Sequence, residues 1–173
     1  SHWKELLNKR SQTFRVAISD FNRNDAPNLY LLGSQGFSAF INLDNDELET
    51  GSPRIFPRGH DGLDSYGNFI HFDNAWPSIA DLNEDGYPEV VFTGYNSVWA
   101  INFNNSPISG FPFQFYKSPL EGHLRDSKYQ PGLLNRSTVI ANLDGRDSPE
   151  ILVSSPSGTI WAINNQAKRF ADH

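Results

Sequence analysis

Three versions of one stretch decide the fold of this chain, and the clearest is Pro77-Ser-Ile-Ala-Asp-Leu-Asn-Glu-Asp-Gly-Tyr-Pro-Glu89. A second version, Thr138-Val-Ile-Ala-Asn-Leu-Asp-Gly-Arg-Asp-Ser-Pro-Glu150, begins 61 residues later. A third, Val16-Ala-Ile-Ser-Asp-Phe-Asn-Arg-Asn-Asp-Ala-Pro-Asn28, begins 61 residues earlier. An isoleucine, an acidic or amide residue and a proline align in all three. A fixed period of this kind indicates that the chain is built from repeated structural units.

Each version of the stretch continues into sequence that favours β-strands. In the middle copy, Val90–Gly94 and Val98–Asn102 are rich in the β-branched and aromatic residues that suit a pleated sheet. The equivalent runs are Leu29–Gly33 and Phe37–Asn42 in the first copy and Ile151–Ser155 and Ile160–Asn164 in the third. A fourth strand is predicted in two copies only, at Pro53–Pro57 and Phe111–Phe115. Each repeat therefore reads as short antiparallel strands, with the acidic stretch as the loop between the first two.

Four short antiparallel strands at a regular spacing are typical of the blades of a β-propeller, which is an all-β fold. A sandwich has no reason to repeat its sequence, and β-solenoid repeats are much shorter than 61 residues. We therefore expect a single propeller fragment over residues 1–173, with repeats at about 13–60, 75–118 and 136–173. Because propellers have four to eight blades, we expect missing sequence or a partner chain to supply the remaining blades.

Aromatic side chains recur on the predicted third strand of the repeat. Trp99 and Trp161 occupy equivalent places, and Phe40 lies close to that place in the first copy. Aromatic residues at repeated strand positions usually fill the space between neighbouring blades. We expect these three residues to belong to the core and not to a ligand site.

The charge and composition of the chain exclude several classes of function. The net charge is -6 and the sequence pI is about 5.2, so no nucleic-acid partner is expected. The longest apolar runs are only as long as a strand, so no membrane insertion is expected. The chain contains no cysteine, which excludes disulfide bonds and thiolate chemistry.

The acidic loop of the middle copy carries the oxygen-bearing residues that a calcium site needs. Asp81, Asn83 and Asp85 occupy positions 1, 3 and 5 of the loop, and Glu89 occupies position 9. Alternate residues of a curled loop point inward, a glycine at position 6 permits a tight reversal, and the carbonyl of Tyr87 supplies a further oxygen. An EF-hand is excluded because strands flank the loop. The alternative is an acidic turn in which glycine and proline only redirect the chain.

The middle repeat resembles the FG-GAP (VCBS-type) repeats of integrin alpha-subunit propellers and of many bacterial surface proteins. The resemblance rests on the acidic loop with its flanking strands, on Val98–Asn102 and on Gly110-Phe-Pro-Phe113, and it covers about residues 13–170. It implies a β-propeller with structural Ca²⁺ and a role in adhesion or in binding a protein or a glycan. It also implies a secreted or cell-surface protein, with the periplasm as the alternative location. Carried over to this chain, the calcium ligands are Asp81, Asn83, Asp85, Tyr87 and Glu89.

The loop of the first copy departs from this pattern by losing charge. It offers Asp20, Asn22, Asn24 and Asn28, so that a single carboxylate stands among amides. Its attraction for a divalent ion is expected to be weak, because calcium affinity rises with the number of charged ligands. These four residues are therefore weaker metal candidates.

The loop of the third copy departs by gaining a positive charge. It offers Asn142, Asp144 and Glu150, but Arg146 occupies position 5. A guanidinium at that place is expected to pair with Asp144 or Glu150 and so to replace a cation. We expect calcium in the middle loop, weakly or not at all in the first, and not in the third.

No catalytic motif is found in the sequence, and a non-catalytic binding, adhesion or scaffolding module is the preferred interpretation. Its long connections, about 45–75 and 116–137, would display the recognition surface. The alternative is a partial propeller enzyme, either a polysaccharide lyase or hydrolase or a quinone-dependent dehydrogenase, with catalytic groups in missing blades. Convergence of four residues in one pocket would favour that enzyme: His60, His71, His123 and Asp126.

Overall fold

A computed structural model of the chain describes residues 13–33, 36–55, 75–94, 97–114, 137–146, 148–154 and 160–169. In these ranges the chain forms only β-strands, bridges and turns, so the prediction of an all-β protein is confirmed. No helix among the described residues has the length and apolar character that crossing a bilayer takes.

The described residues contain twelve strands in three antiparallel sheets, which are here called units 1, 2 and 3. Unit 1 consists of β1 (Phe14–Ser19), β2 (Asn28–Gly33), β3 (Phe37–Asn42), β4 (Glu47–Leu48) and β5 (Arg54–Ile55). Unit 2 consists of β6 (Ser78–Ala80), β7 (Glu89–Thr93), β8 (Ser97–Ile101) and β9 (Phe113–Gln114). Unit 3 consists of β10 (Val139–Ala141), β11 (Glu150–Ser154) and β12 (Ile160–Ile163). Strands pair in chain order within each unit, and both β4 and β5 pair with β3.

Residues 61 positions apart take the same place in the three sheets. Opposite each other across the first strand pair lie Ile18 and Leu29, Ile79 and Val90, and Ile140 and Ile151. The predicted fourth strands are present as β5 and β9. The short strand β4 was not predicted. It forms because the turn after Asn42 reverses the chain at Asp46, whose φ is 59°.

A first apolar core lies between units 1 and 2. Side chains along a strand alternate between the two faces of the sheet. Tyr30 and Leu32 of β2 point toward unit 2, where they meet Val90 and Phe92 of β7, and none of the four is more than 1% exposed. Each side chain of this size contributes roughly 1.5–3 kcal/mol when it leaves water. The two sheets therefore stack face to face.

A second apolar core lies on the other face of unit 2. Val91 and Ala100 point away from unit 1 and pack against Ile151 and Val153 of unit 3. All residues of β7 and β8 are buried as a result. A strand that is covered on both faces reads as a continuous apolar run instead of an alternating one, which explains the sequence Val90–Phe92.

The three recurring aromatic residues pack between sheets, in keeping with the interpretation of them as core. Trp99 is 4% exposed in the first core and stacks on Phe92 with 6.3 Å between ring centroids. Trp161 is half-buried against the second core. Phe40 faces unit 2, whereas the pairing register makes its neighbour Ala39 the counterpart of Trp99. Phe40 and Trp99 therefore meet the same core from opposite sides.

Close backbone contacts join each sheet to the next. Gly51 has a φ of 79°, and a Cβ added there would lie 2.0 Å from the carbonyl oxygen of Asn104 in unit 2. Gly110 has a φ of 86°, and its added Cβ would lie 2.8 Å from the carbonyl oxygen of Gln166 in unit 3. The same turn thus touches the following unit at both junctions, and only glycine leaves room for that approach.

Asn105 is a polar link between units 1 and 2 that sequence reasoning missed. Its side chain is 1% exposed, and its Oδ1 accepts a hydrogen bond of 2.6 Å from the Ser38 hydroxyl. Its Nδ2 donates to the carbonyl oxygens of Ser38 and Gly51 at 3.3 and 3.4 Å. The Arg54 guanidinium donates to its carbonyl oxygen at 2.7 Å. Because Asn105 lies 67 residues from Ser38, no local pattern could have shown this link.

The junction glycine can be tested against a glycine that has the same backbone conformation and no neighbour. We expect Gly51→Ala to lower the free energy of unfolding by about 3 kcal/mol or more, because the chains must move apart as well as accept a strained φ. Gly145→Ala, with a φ of 75° and nothing within 4 Å of the added Cβ, should cost about 1 kcal/mol. Urea denaturation of both variants measures the difference. Equal losses would contradict the proposed close approach.

Candidate metal centre

The three acidic loops connect the first and second strands of each unit and share a backbone curl. Loop positions are counted from 1 at Asp20, Asp81 and Asn142. Position 4 has a positive φ in every loop, at Arg23 (53°), Glu84 (60°) and Gly145 (75°). Position 6 repeats this at Asp25 (64°) and Gly86 (89°). The sequence drew attention only to Gly86, yet the third loop carries its glycine at position 4.

One hydrogen bond closes every loop at its neck. The N–H of position 2 donates to the side-chain oxygen of position 9, from Phe21 to Asn28 at 3.1 Å, from Leu82 to Glu89 at 2.9 Å and from Leu143 to Glu150 at 2.8 Å. Position 9 therefore holds the loop together before any ion is considered. A carboxylate at this place keeps a second oxygen, whereas an asparagine has only an amide nitrogen left.

The middle loop is organised by its own polar side chains. The N–H of Gly86 donates to Asp81 Oδ2 at 2.9 Å, and the N–H of Tyr87 donates to Asp85 Oδ1 at 2.8 Å. Asn83 accepts from the N–H of Asp85 at 3.1 Å and donates through Nδ2 to Asp85 Oδ2 at 2.9 Å. Four of the five predicted ligand residues thus lie in one network, and Glu89 closes its neck. A cation at this place would require the Asn83 amide to turn its oxygen inward.

Two buried carboxylate oxygens of the middle loop lack a donor. Asp81 Oδ1 and Glu89 Oε1 accept no hydrogen bond within the part of the chain that the structure describes. Glu89 is 0% exposed, and burial raises the pKa of its carboxyl group to about 7, with the charges of Asp85 and Asp81 adding to the rise. A buried polar atom without a partner costs free energy that a bound cation would remove. The donor set of hard oxygens fits calcium.

The first loop uses its single carboxylate internally. Both oxygens of Asp20 accept backbone hydrogen bonds, from Asn24 at 3.1 Å and from Asp25 at 3.0 Å. Its one buried oxygen without a donor, among the described residues, is Oδ1 of Asn22. An amide oxygen carries no net charge, so this loop offers a cation less than the middle loop does.

Glu49 turns the position 9 asparagine of the first loop, and the sequence gave no sign of this role. Its Oε1 accepts from Nδ2 of Asn28 at 3.0 Å and from Nδ2 of Asn42 at 3.1 Å. The Asn28 oxygen is thereby directed to the loop neck and its nitrogen to Glu49. Asn28 consequently has no second oxygen to offer a metal ion. Glu49 lies 21 residues after Asn28 and outside the loop, which is why the loop pattern could not reveal it.

The third loop contains one of the two ion pairs expected for it. Arg146 Nε lies 3.2 Å from Asp144 Oδ2, and the N–H of Arg146 donates to Asp144 Oδ1 at 2.9 Å. The pairing with Asp144, and not with Glu150, is the one formed, because Glu150 Oε2 closes the loop neck. The Arg146 side chain is 86% exposed, so the pair adds little stability. Asn142 accepts from the N–H of Gly145 at 2.6 Å.

The three loops differ in unmet need for a positive charge. Within the described ranges, buried side-chain oxygens without a donor number two in the middle loop, one in the first and none in the third. This order matches the order expected from charge count. No three acidic or histidine side chains converge as a ready-made metal centre in the ranges that the structure covers. A cation would therefore need amide and carbonyl oxygens in addition to the carboxylates.

Neighbouring loops touch one another. Arg23 of unit 1 reaches over the middle loop, and a Cβ added at Gly86 would lie 3.5 Å from its Nη1. Glu84 of the middle loop in turn accepts a hydrogen bond from the Ser148 hydroxyl of unit 3. The guanidinium of Arg23 places a positive charge beside the middle loop, which weakens its attraction for a cation.

The residues chosen to distinguish an enzyme from a binding module lie outside the described ranges, and so do most of the two long connections. His60, His71, His123 and Asp126 therefore remain candidates from sequence alone. No protein-family model matches the chain, and no curated protein is significantly similar to it. The assignment to a family consequently stays a proposal.

The raised pKa of Glu89 predicts how the metal-free protein responds to pH. Between the ordinary value of 4.5 and about 7, the folded protein holds a proton that the unfolded chain has released. Stability should therefore be greatest below pH 4.5 and fall as the pH rises to 7, by roughly 1.4 kcal/mol per pH unit at most. Urea denaturation without divalent ions at several pH values measures this slope. Glu89→Gln should flatten it, and an unchanged slope in that variant would contradict the assignment.

Proposed function

We propose that the three units are blades of a β-propeller domain that is stabilised by calcium in its middle loop. The observation that carries the proposal is the pair of buried, donor-free oxygens on Asp81 and Glu89. We propose further that the domain is a non-catalytic binding or scaffolding module of a secreted or cell-surface protein, with a protein or a glycan as its ligand.

The way the sheets stack supports a propeller. Each unit turns one face to the preceding unit and the other to the following one, as blades do around a ring. The first strands of the units are neighbours, since β6 contacts both β1 and β10. Ser78 Oγ donates to the carbonyl oxygen of Thr138 at 2.8 Å, and Thr138 Oγ1 lies 2.8 Å from Ser78 Oγ. Convergence of first strands is what an axis lined by the innermost strands requires.

Electrostatics support calcium as a structural ion. Asp81, Asp85 and Glu89 bring three carboxylates into one short loop, and the charges of the first two oppose ionisation of the third. A divalent cation offsets this repulsion and supplies a partner for both donor-free oxygens. Extracellular calcium is abundant, so a site with a dissociation constant of about 10⁻⁴ to 10⁻³ M suffices for a structural role.

Rigid sheets that carry long connections suit recognition of a partner. The sequence between β5 and β6 and between β9 and β10 is much longer than a typical hairpin turn. Binding residues are found disproportionately on loops that a rigid scaffold positions. A binding module is therefore proposed in preference to an enzyme.

Calcium should raise the melting temperature of the protein, and Asp85→Ala should remove most of that rise. At a free calcium concentration a hundredfold above the dissociation constant, the stabilisation would be about 2.7 kcal/mol. Thermal unfolding with calcium and with a chelator measures the effect, and magnesium serves as the comparison ion. A melting temperature indifferent to calcium would refute the middle site.

Asp144→Ala is the matched control, because it removes an aspartate from the third loop. Asp144 is engaged by Arg146, so the calcium response should be intact in this variant. Its own stability loss should be small, since the Arg146 side chain is 86% exposed and stays hydrated. An equal loss of calcium response in both variants would show that the middle loop is not the site.

Arg23→Gln should tighten calcium binding by about two- to fivefold, because it removes a positive charge beside Gly86 at a largely solvated place. Isothermal titration calorimetry at low ionic strength measures the affinity. Lys168→Gln removes the same charge from an exposed turn of unit 3 and should leave the affinity unchanged. Equal effects of both substitutions would point to net charge alone.

A further inference from the structure

The face of unit 3 that points away from unit 2 is built from positions that are buried elsewhere in the molecule. Position 2 of the loops shows this most directly. Phe21 and Leu82 are 0% exposed because the following unit covers them, whereas Leu143 at the same position is 46% exposed. The repeat therefore supplies its own internal standard for what this position packs against.

The strands of unit 3 show the same contrast. Ile160 is 69% exposed, while its counterparts in the pairing register, Val98 and Ser38, are 0% exposed. Leu152 is only half-buried, although its counterpart Val91 is 0% exposed. These differences run across the sheet and are confined to one of its faces.

The exposed side chains form one apolar surface, which is here called the outer face of unit 3. Its members share the direction away from unit 2, and they are Val139, Leu143, Leu152, Ile160 and Ala162. The surface continues the series of interfaces between units 1 and 2 and between units 2 and 3. Large apolar side chains grouped in this way mark an interaction site.

We propose that the outer face of unit 3 binds the same face of a second copy of this chain about a twofold axis. A head-to-tail arrangement would need the opposite end of the stack, the face of unit 1 that points away from unit 2. Phe37, Ala39 and Ile41 on that face are at most 3% exposed, so it is not open to a second copy. An apolar sheet face needs no charge pairing to be self-complementary, which suits an isologous contact. The proposal goes beyond the calcium site and does not depend on it.

Sedimentation velocity over about a hundredfold range of protein concentration tests the proposal. We expect a reversible monomer–dimer equilibrium, with and without calcium. Ile160→Asp and Val139→Asp should each weaken dimerisation at least tenfold, because they would bury an unpaired charge. Ile18→Asp is the matched control, since Ile18 is as exposed as Val139 at 58% but lies on β1 of unit 1. Circular dichroism confirms that each variant is folded.

The symmetry of the dimer is tested separately by cross-linking. The chain contains no cysteine, so a single Ile160→Cys or Leu143→Cys substitution introduces the only thiol. A short bismaleimide should link two copies of at least one of these variants, because an isologous contact brings identical residues together. A monomer at every concentration, dimers unaffected by Ile160→Asp, or dimers that never cross-link through either cysteine would overturn the proposal.

Discussion

The burial of the middle sheet on both faces is the constraint on which the other features of this structure depend. A single four-stranded sheet cannot cover its own apolar side chains, so each unit needs a neighbour on at least one side. Phe92 meets unit 1 and Val91 meets unit 3 from adjacent positions of one strand. The glycines at the junctions let the backbones approach closely enough for this contact. Stability is consequently distributed along the stack and not concentrated within one unit.

The geometry of the acidic loops follows from this stacking. Position 2 inserts an apolar side chain into the core between units, and position 9 bonds back to the N–H of position 2. The loop is therefore anchored from both ends before its polar residues interact. Its left-handed residues at positions 4 and 6 then turn the remaining side chains inward. A loop held in this way presents carboxylates at a defined place with little further loss of conformational entropy.

Small substitutions give the three loops different electrostatic characters within one backbone. Glu89 leaves a buried oxygen that no donor satisfies, Asn28 spends its amide on Glu49, and Asp144 pairs with a guanidinium. Only the middle loop thus carries two donor-free carboxylate oxygens among the described residues. Retaining such a costly arrangement is most easily explained by a cation, since the other two loops keep their shape with their polar atoms better satisfied.

The sequence by itself determined the all-β class, the strands common to the three units and the placement of the acidic loops, because strand propensity, turn residues and a fixed period are local properties. It also ranked the loops correctly by charge, and it named Asp144 as one partner of Arg146. Only the tertiary structure decided which face of each strand meets which neighbour, and it placed Phe40 opposite the expected face. The roles of Glu49 and Asn105 and the exposure of Leu143 likewise depend on residues far apart in the chain. Such contacts exist only after the sheets have stacked, and no local pattern encodes them.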